Sequence, residues 1–512
     1  MTIDLKLLTY NALDCATTME VHDAIWPEVD QHGYRWAYDF TLRLFEPLMF
    51  MMTRGIPVSF DLLEETKRDI LGKEKQYQEE LTRLCGRPLN PLSPKDCIAY
   101  FYVEKGITPY TNKEGGITTD DKALQRIARG VAKRPGLREA RLVQELRGLR
   151  KLYGTYLDID FDQDGKLRCA YNPRGTKFGR LSSSATVFRT GTNLQNLPQE
   201  FKKFLVPWDG YFFWEIDKRQ AEWVVVAFLS GDANMMRVIE QEEDPHTHTA
   251  HLMFKTDKEI IKEDAKILGQ LSDPDEIALR RSLAGITAML PRTMSARQMG
   301  KKSNHGLNYD EGYNTFALSN EIEIAESKRI ISLYHSIYPG IRQWHESIKR
   351  QLTKDRTLTN CFGRKIRFLD QWSDELFKAA YSALPQSTVV DGINTGLCKI
   401  YEDDWLTASS GPVNLDEMAQ VHDSILMQVP LTVLDHPTLF HDVVTRCYDY
   451  ASPEMEYNGR KFKIATDSKI GLNWGGHHSE KNPDGMQEVV LSGNPQDFVD
   501  MVRSNIHGRS RT

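Results

Sequence analysis

The sequence has few cysteines and no long apolar run. Its 512 residues include 7 cysteines, none of them in a CxxC pair. This usage argues against a zinc ribbon and favours reduced thiols in a cytoplasmic setting. No run of about 20 apolar residues, the length that crosses a bilayer, occurs, and the acidic start does not resemble a signal or transit peptide. No membrane association is predicted.

The chain also lacks an excess of positive charge. Its formal net charge is −6 and its pI about 6.2, which as a bulk property does not indicate a nucleic-acid-binding protein. Basic residues can still cluster locally, and the stretch 133–151 carries seven of them against two acids. That stretch is interpreted either as a solvated helix face or as a contact to a phosphate backbone.

The hydrophobic patterns predict a sheet domain interrupted by helices. The continuous apolar run 210–217 predicts a buried strand ending in Asp217, and 419–429 predicts two strands joined by a tight turn with His422 and Asp423 at its tip. Most of the sequence between these two elements has helical periodicity. The pattern therefore predicts an α+β fold with a helical insertion inside a sheet domain.

The two acids at the strand ends form a candidate metal site. Asp217 and Asp423 would repel each other if brought close, unless a divalent cation lay between them. Oxygen ligands of this kind suit Mg²⁺ or Mn²⁺, and two metals about 3.5–4 Å apart can hold both oxygens of a phosphoryl displacement. Taken alone, each acid is more often an ordinary residue of an exposed turn.

A stripe of four side chains runs along the segment "RQMGKKSNHGLNY" (297–309). Residues four apart share one helix face, and here these residues are Arg297, Lys301, His305 and Tyr309. The two cations suit phosphate oxygens, while the two rings can stack on a sugar or base. The stripe predicts a helix that carries a nucleotide along its length, with an exposed polar helix face as the alternative.

The order of several short motifs resembles that of DNA polymerase family A. These motifs are "LSPKDCIAYFYVEKGITP" (92–109), "GRLSSS" (179–184), "NLQNLP" (193–198), "DKRQAE" (217–222), "RQMGKKSNHGLNY" (297–309), "CFGRKIRF" (361–368), "AAYSALPQST" (379–388) and "HD" (422–423). Each is weak alone, but their shared order is specific, and the likeness extends over about 1–475.

The resemblance implies an α+β right-hand polymerase fold, with an antiparallel palm sheet and helical fingers and thumb. It also implies the following division: an exonuclease remnant (1–50), thumb and connecting helices (51–165), the first part of the palm (166–232), fingers (233–375), the second part of the palm (376–476) and a tail (477–512). The implied activity is template-directed addition of dNTPs to a primer 3′-hydroxyl.

The resemblance further implies where metals and nucleotide bind. Asp217 and Asp423 would hold two Mg²⁺, which Mn²⁺ can replace, and Lys301 would also protonate the pyrophosphate leaving group. Glu222 would crowd the sugar 2′ position and so exclude ribonucleotides. The residues implied at the incoming dNTP are Arg297, Lys301, His305, Tyr309, Glu222, Gln220 and His246.

A second set of residues is implied at the primer–template DNA. Arg180, Gln386 and His422 would reach the minor-groove side of the primer–template end, where every base pair presents acceptors. Asn193 and Gln195 are also expected to bind DNA.

Two departures from the family pattern keep alternatives open. His305 occupies a position that is usually Phe or Tyr, and Ser424 one that is usually Glu in these DNA polymerases. Single-subunit RNA polymerases often show "HDS" at the second position, so an RNA polymerase is one alternative, although Glu222 argues against it. A non-catalytic factor that only binds primer–template is another, and both metal acids and Lys301 argue against that.

The start of the chain resembles the last segment of a 3′–5′ proofreading exonuclease. Tyr10 and Asp14 stand in its YxxxD spacing, but the other catalytic acids of an exonuclease are missing upstream. Either a separate exonuclease subunit docks here or the domain has decayed, and the persisting spacing favours the first. The short front suggests a phage or viral gene acting in the host cytoplasm.

Two segments have no assigned role. The stretch 255–293 is longer than this region usually is in the family and is expected to lie in the fingers. The stretch after 476 reads as a loop followed by a short strand and helix, interpreted equally as a partner-docking tail or a disordered extension.

Overall fold

The structure is a computed structural model that describes residues 5–112, 114–131, 134–270, 274–285 and 294–507. In chain order the helices α1 to α21 are Leu5–Gln31, Arg35–Arg43, Phe45–Arg54, Phe60–Cys85, Pro94–Ile98, Asp121–Arg129, Arg138–Leu152, Gln199–Lys202, Ala221–Ser230, Ala233–Glu240, Pro245–Phe254, Lys258–Gln270, Pro274–Leu283, Ala296–Leu307, Tyr313–Ser319, Ile324–Ile337, Pro339–Asp355, Asp374–Tyr401, Asp404–Thr407, Pro437–Ala451 and Pro495–His507.

The strands β1 to β15 are Ile56–Pro57, Gly130–Val131, Arg134–Pro135, Lys166–Leu167, Ala170–Asn172, Ser182–Ser184, Tyr211–Lys218, Thr357–Thr359, Lys365–Arg367, Asp416–Val421, Ser424–Pro430, Met455–Tyr457, Arg460–Phe462, Thr466–Gly471 and Gln487–Val489. Short π-helical turns (Ala99–Glu104, Tyr153–Leu157) and 3₁₀ turns (Leu194–Asn196, Leu431–Asp435) complete the elements.

A five-stranded antiparallel sheet forms the centre, in the order β10-β11-β7-β14-β15. Strand β7 is central, and its buried run Phe212–Ile216 explains why it reads as continuously apolar. The hairpin β10–β11 turns tightly, with Val421 opposite Ser424. Both predicted sheet elements are confirmed, and so is the α+β class.

The segment between β7 and the β10–β11 hairpin is mainly helical, as the pattern predicted. Helices α9 to α18 build a second hydrophobic core, centred on Trp344, Tyr334 and Phe316, that is separate from the core under the sheet. A third core lies among α4 to α7, around Phe101 and Leu146. The division into thumb, palm and fingers stays a prediction.

The basic stretch at 133–151 forms mainly intramolecular pairs where it is described. On α7, Arg138 contacts Glu80, Arg150 contacts Glu74, and Arg141 contacts Glu321. These guanidinium groups connect α7 to carboxylates of neighbouring segments. For these three arginines, the structure therefore does not support a contact to a phosphate backbone.

The segment after 476 is part of the fold, so neither expectation for it holds in its described part. Strand β15 pairs with β14 at the edge of the central sheet. Helix α21 buries Phe498, Val499, Val502 and Ile506, and the Phe498 ring stacks on Phe440 at 5.3 Å. The amphipathic spacing of α21 is therefore matched by an apolar surface on α20.

The inserted stretch at 255–293 contains two helices, α12 and α13, that pack through Ile261, Ile267 and Ile277. A buried ion pair between Arg281 Nε and Asp264 Oδ1, 2.6 Å long, joins them. The rest of the stretch, at 271–273 and 286–293, lies outside the described residues.

Helix α1 stands apart from all three cores. None of its side chains, all of which are described, is buried, although Leu5, Leu8, Leu13 and Met19 are large and apolar. The described helices include none that is both long enough and apolar enough to cross a bilayer.

Candidate active site

The structure brings Asp217 and Asp423 together at one edge of the central sheet. Asp217 is near the end of β7, directly opposite Ser424 of β11, and Asp423 precedes that serine in the hairpin turn. The backbone N–H of Lys218 donates to the carbonyl of Asp423 over 3.2 Å. The two acids therefore lie on adjacent strands at the same level of the sheet.

The hairpin turn is held in shape by a buried glutamine. His422 has a φ of 55°, a conformation that non-glycine residues rarely adopt. Gln195 accepts from the His422 N–H at 3.0 Å and donates to the Gln420 carbonyl at 2.7 Å. Its side chain is thus buried and engaged with the turn that carries His422 and Asp423. The DNA contact of Gln195 stays a prediction.

Electrostatics around the two acids favour a bound cation. Burial, the Asp423 charge and then the Glu215 charge raise the pKa of Asp217 to about 7, against a lowering by Lys469. Burial also raises the pKa of Asp423, and the Glu222 charge adds to this rise. The nearest counter-charge, Lys469 Nζ, stays 4.0 Å from Asp217 Oδ2. Ionised carboxylates in this setting fit a hard divalent cation such as Mg²⁺.

The chain itself offers few further ligands at this point. Across the described residues, no group of three or more His, Cys, Asp or Glu side chains has the geometry of a metal site. A metal held by Asp217 and Asp423 would therefore complete its oxygen shell from groups outside the chain, such as water.

Glu215 is a neighbour that the sequence analysis missed. It precedes Asp217 by two residues, so both side chains lie on one face of β7. Its Oε1 accepts hydrogen bonds from Ser424 Oγ and Trp474 Nε1, each at 3.2 Å. Ser424, which departs from the family pattern, thus holds a carboxylate delivered by the neighbouring strand. The period of two from Asp217 was the signal that could have identified Glu215.

Glu222 joins three segments of the chain. Arg180 Nη2 donates to its Oε1, and the Tyr309 hydroxyl donates to its Oε2, both at 2.6 Å. Burial and the Glu222 charge raise the pKa of Tyr309 well above its usual value, so the phenol stays protonated and donates. The predicted neighbours Glu222, Tyr309 and Arg180 therefore meet in one cluster.

Helix α14 carries the stripe, but it is shorter than predicted. The side chain of Ser295 caps its start by accepting from Gln298 N–H, and the helix ends at Leu307. Tyr309 lies in the turn beyond, which lets its ring leave the stripe and reach Glu222. Arg297, Lys301 and His305 remain on one face, with the ends of Lys301 and His305 exposed.

Helix α14 packs on α11 through a glycine. A Cβ atom at Gly300 would lie 2.2 Å from the backbone carbonyl of His246, closer than any side chain can be accommodated. Nearby, Asn304 donates to Nδ1 of His246 at 3.0 Å, and burial lowers the pKa of His246 to about 4. His246 is therefore a neutral, buried imidazole whose ring centroid is 5.9 Å from that of His305.

Asp244 is the second residue that the sequence analysis missed. It accepts from Arg297 through two hydrogen bonds of 2.9 and 3.1 Å, and from Gln220 Nε2 at 2.9 Å. It also caps α11 by accepting from Thr247 N–H. The Asp244 carboxylate thus connects Arg297, the first cation of the stripe, to Gln220, which follows Asp217 by three residues. Only the helix-capping pattern "EDPHT" signalled it in the sequence.

The remaining predicted DNA contacts lie on several elements. Asn193 caps the 3₁₀ turn beside β6, and its Oδ1 also accepts from Ser183 Oγ at 2.8 Å. Gln386 is half-buried on α18, and His422 is exposed at the hairpin turn. Burial lowers the pKa of His422, and the charge of Arg180 lowers it further.

Tyr10 and Asp14 do not belong to this site. Both lie exposed on α1, one helical turn apart, and within the described residues no contact joins them to the acids of the sheet. Their exonuclease assignment stays a prediction.

The fold has the features of a right-hand polymerase. An antiparallel sheet carries paired acids at its edge, a helical insertion lies between the two acid-bearing strands, and further helices precede the sheet. The model of DNA polymerase family A matches residues 60–267 and 285–476. The chain belongs to that family.

Individual relatives agree with this assignment. The chain is 28% identical to the thermostable DNA polymerase I of Thermus filiformis over 419 residues, which are 77% of this chain and 44% of that protein. It is 26% identical to the DNA polymerase of Escherichia phage T5 over 459 residues, 83% of this chain and 51% of the relative. The chain thus spans about half the length of the curated relatives it matches.

A solved structure shows the same fold. The polymerase domain of Pol1 from M. smegmatis, in complex with DNA primer-template and dNTP, superposes with a TM-score of 0.64 at 20% identity. The match covers 85% of this chain and 70% of that one.

Proposed function

We propose that this protein is a template-directed DNA polymerase that extends a primer 3′-hydroxyl with dNTPs. The observation that carries the proposal is the meeting of Asp217 and Asp423 at the sheet edge, next to the cationic helix α14. The Tyr309 hydroxyl, in the turn just after α14, donates to Glu222 at 2.6 Å and so ties the end of that helix to the segment that follows β7. Membership of DNA polymerase family A supports the same activity.

In this proposal Asp217 and Asp423 hold two Mg²⁺, which Mn²⁺ can replace. When bound, such metals stabilise the attacking and leaving oxygens of the phosphoryl transfer. Arg297 leaves Asp244 to bind the triphosphate together with Lys301. The primer 3′-hydroxyl then gives up its proton to water while its oxygen bonds to the α-phosphorus. The bond from the α-phosphorus to the bridging oxygen breaks, and Lys301 protonates the departing pyrophosphate. His246, neutral and buried, supports α14 and lies beside the ring of His305.

The cluster around Glu222 would set the choice of sugar. Because Glu222 is fixed by Arg180 and Tyr309, its carboxylate cannot swing aside when a 2′-hydroxyl approaches. Ser424, the residue that raised the RNA polymerase alternative, is engaged with Glu215 and does not approach this cluster through any hydrogen bond in the described residues. A DNA polymerase is therefore favoured.

On the DNA side, Arg180, His422, Asn193 and Gln386 would line the minor groove at the primer terminus. Every base pair presents acceptors there, so a correct pair can be sensed independently of its sequence. Gln195 would act indirectly, by holding the turn that carries His422.

Primer extension tests the proposal directly. The protein should extend a recessed primer with dNTPs and Mg²⁺, and rNTPs should be used poorly. Asp217→Ala and Asp423→Ala should each abolish incorporation while binding of primer–template changes little. Lys469→Ala, which removes a neighbour of Asp217 without removing a metal ligand, serves as control. No extension by the unaltered protein with either Mg²⁺ or Mn²⁺ would refute the proposal.

We further infer that a separate 3′–5′ exonuclease subunit docks on α1. The support is that α1 exposes apolar residues around its whole circumference, an arrangement usual for helices that are covered. The protein alone should leave a mismatched primer end untrimmed. Deleting residues 5–31 should then abolish co-purification of a trimming activity without changing primer extension. Efficient trimming by the purified chain itself would contradict this inference.

A further inference from the structure

A small hairpin between β6 and the 3₁₀ turn presents two apolar side chains to solvent. Val187 and Phe188 form its tip and are 88% and 81% exposed, the highest values among the large apolar side chains of the described residues. Arg189 follows them and is also exposed. Exposed apolar side chains are common singly, but an adjacent pair at a loop tip with a cation beside it is the composition of a contact surface.

The tip is held firmly by the residues at its base. Arg189 N–H donates to the Thr186 carbonyl and Thr186 N–H donates to the Thr190 carbonyl, both at 2.9 Å. The hydroxyl of Thr190 donates to Asp162 at 2.5 Å, and Gly191 N–H donates to the Asp160 carbonyl at 2.7 Å. Binding through such a tip would therefore cost little ordering entropy.

Arg189 occupies a position that would suit glycine better. Its φ is 63°, the left-handed conformation that closes a three-residue hairpin loop and is usually given to Gly or Asn. Among the described residues, none makes a hydrogen bond or ion pair with its guanidinium group. An arginine kept in a strained position, with no intramolecular partner, has its charge available for a ligand.

The C-terminal end of the hairpin connects both to the candidate active site and to the base of the predicted thumb. From its end at Gly191 the chain passes directly to Asn193 and to Gln195, which holds the His422 turn. Through Asp160 and Asp162 it is fixed to the segment before β4, where the predicted thumb meets the palm. A duplex that leaves the primer terminus between palm and thumb would pass this tip.

We propose that Val187, Phe188 and Arg189 form a second DNA contact that grips the product duplex behind the primer terminus. Val187 and Phe188 would lie against sugars and base edges of the minor groove, as apolar wedges do in other minor-groove-binding proteins, and Arg189 would pair with a backbone phosphate. The nature of this ligand rests on the proposed polymerase function. The contact itself is independent of the metal acids and of the dNTP stripe.

Equilibrium binding to a primer–template duplex, at several salt concentrations, separates the two parts of the contact. Val187→Ser with Phe188→Ser should weaken binding about tenfold and leave the salt dependence unchanged. Arg189→Gly should also weaken binding, and the slope of log affinity against log salt should become shallower by about one. Because glycine suits the backbone of residue 189, this variant should fold at least as well as the unaltered protein.

The position of the contact can be mapped with 2-aminopurine placed at successive base pairs behind the primer terminus. The unaltered protein should change the fluorescence at one or two adjacent positions, and the Val187→Ser, Phe188→Ser variant should lose that change. Incorporation of a single dNTP from the preformed complex should stay normal in both variants, since neither touches the nucleotide site. Val490→Ser, which removes a side chain 73% exposed in the C-terminal part, is the matched control.

Affinities within twofold of the unaltered protein in both variants would overturn the proposal. Failure of the polymerase proposal gives a different result, namely no primer extension by the unaltered protein. The binding experiment can be carried out in either case.

Discussion

At the scale of single residues, the charge on Asp217 should destabilise the metal-free protein at neutral pH. The pKa of Asp217 is about 7 in the fold, against an ordinary value of 3.8. Between about pH 4 and 7 the folded state therefore binds more protons than the unfolded state, and stability falls as the pH rises through this window. Asp217→Asn should remove this pH-dependent loss of folding stability.

We expect Asp217→Asn to raise the free energy of unfolding by about 1–2 kcal/mol at pH 8 in EDTA, a value discounted for the partial exposure of the side chain. Below pH 4 the gain should vanish. Urea unfolding at both pH values measures it. Asp467→Asn, on the opposed position of β14, is the control, and it should not stabilise because Arg219 pairs with Asp467. Equal stability of Asp217→Asn and the unaltered protein at pH 8 would contradict the expectation.

His305 should make nucleotide binding pH-dependent in the acidic range. Desolvation by surrounding protein lowers its pKa below the ordinary 6.5, with Glu222 and Asp423 opposing the shift and Lys301 adding to it. The imidazole is thus neutral at pH 7 to 8 and gains its positive charge only at lower pH. The KM for dNTP should be flat from pH 7 to 8 and fall below about pH 6.5, as a cation appears beside the triphosphate.

The matched variant is His305→Phe, which keeps a flat ring in the same place. Its KM should not show the acidic fall, so the ratio of the two KM values isolates the contribution of the imidazole. Steady-state incorporation of one dNTP across pH 5.5 to 8 gives both curves, and identical curves would exclude a charge effect of His305.

At the scale of elements, alanine substitutions at two glycines of α14 should have opposite effects on stability. A Cβ at Gly300 would meet the His246 carbonyl at 2.2 Å, whereas a Cβ at Gly306 would meet the mobile end of the Glu311 side chain at 2.1 Å. Gly300→Ala must push α14 away from α11 and should cost about 1–3 kcal/mol. Gly306→Ala should be nearly neutral, since the carboxylate can move and alanine favours the helix.

Thermal unfolding and the KM for dNTP together test this pair. Gly300→Ala should lower the melting temperature and raise KM, because Arg297 and Lys301 move with the helix. Equal effects of the two substitutions would show that the α11–α14 contact does not set the position of the stripe.

The elements that the sequence predicted best are those whose signal is local. The apolar run before Asp217, the hairpin at Asp423 and the four-residue spacing on α14 each lie within a short window. The contacts of Asp244 with Arg297 and of Glu215 with Ser424 join elements far apart in sequence, and no periodicity records such pairs. The four-residue spacing continues to Tyr309 and so predicts a longer helix, whereas the fold ends α14 at Leu307.

At the scale of the whole molecule, the two ends of the chain differ in how they relate to its core. Helix α21 buries four apolar side chains, each contributing about 1.5–3 kcal/mol, whereas α1 buries none. Truncation after Gly476 should therefore remove a large share of the total stability and leave an aggregating protein. Deletion of residues 5–31 should leave the melting temperature within about 2 °C.

Scanning calorimetry and gel filtration of the two truncations give the result. A folded, active chain ending at residue 476 would show that the family-matched region is self-sufficient without α21. The sequence could not decide between a docking tail and disorder, because the apolar face of α21 becomes interpretable only once the matching surface of α20 is known.

The bidentate ion pair between Asp244 and Arg297 affects which anions the free protein can bind. Because Asp244 neutralises Arg297, the protein without substrate has one unpaired cation fewer with which to bind inorganic phosphate or pyrophosphate. Under the proposed function, an incoming triphosphate would have to displace the Asp244 carboxylate from Arg297, and a second contact with Lys301 would help it to do so. If Arg297 binds the triphosphate as proposed, its ion pair with Asp244 would favour whole nucleotides over free phosphate or pyrophosphate.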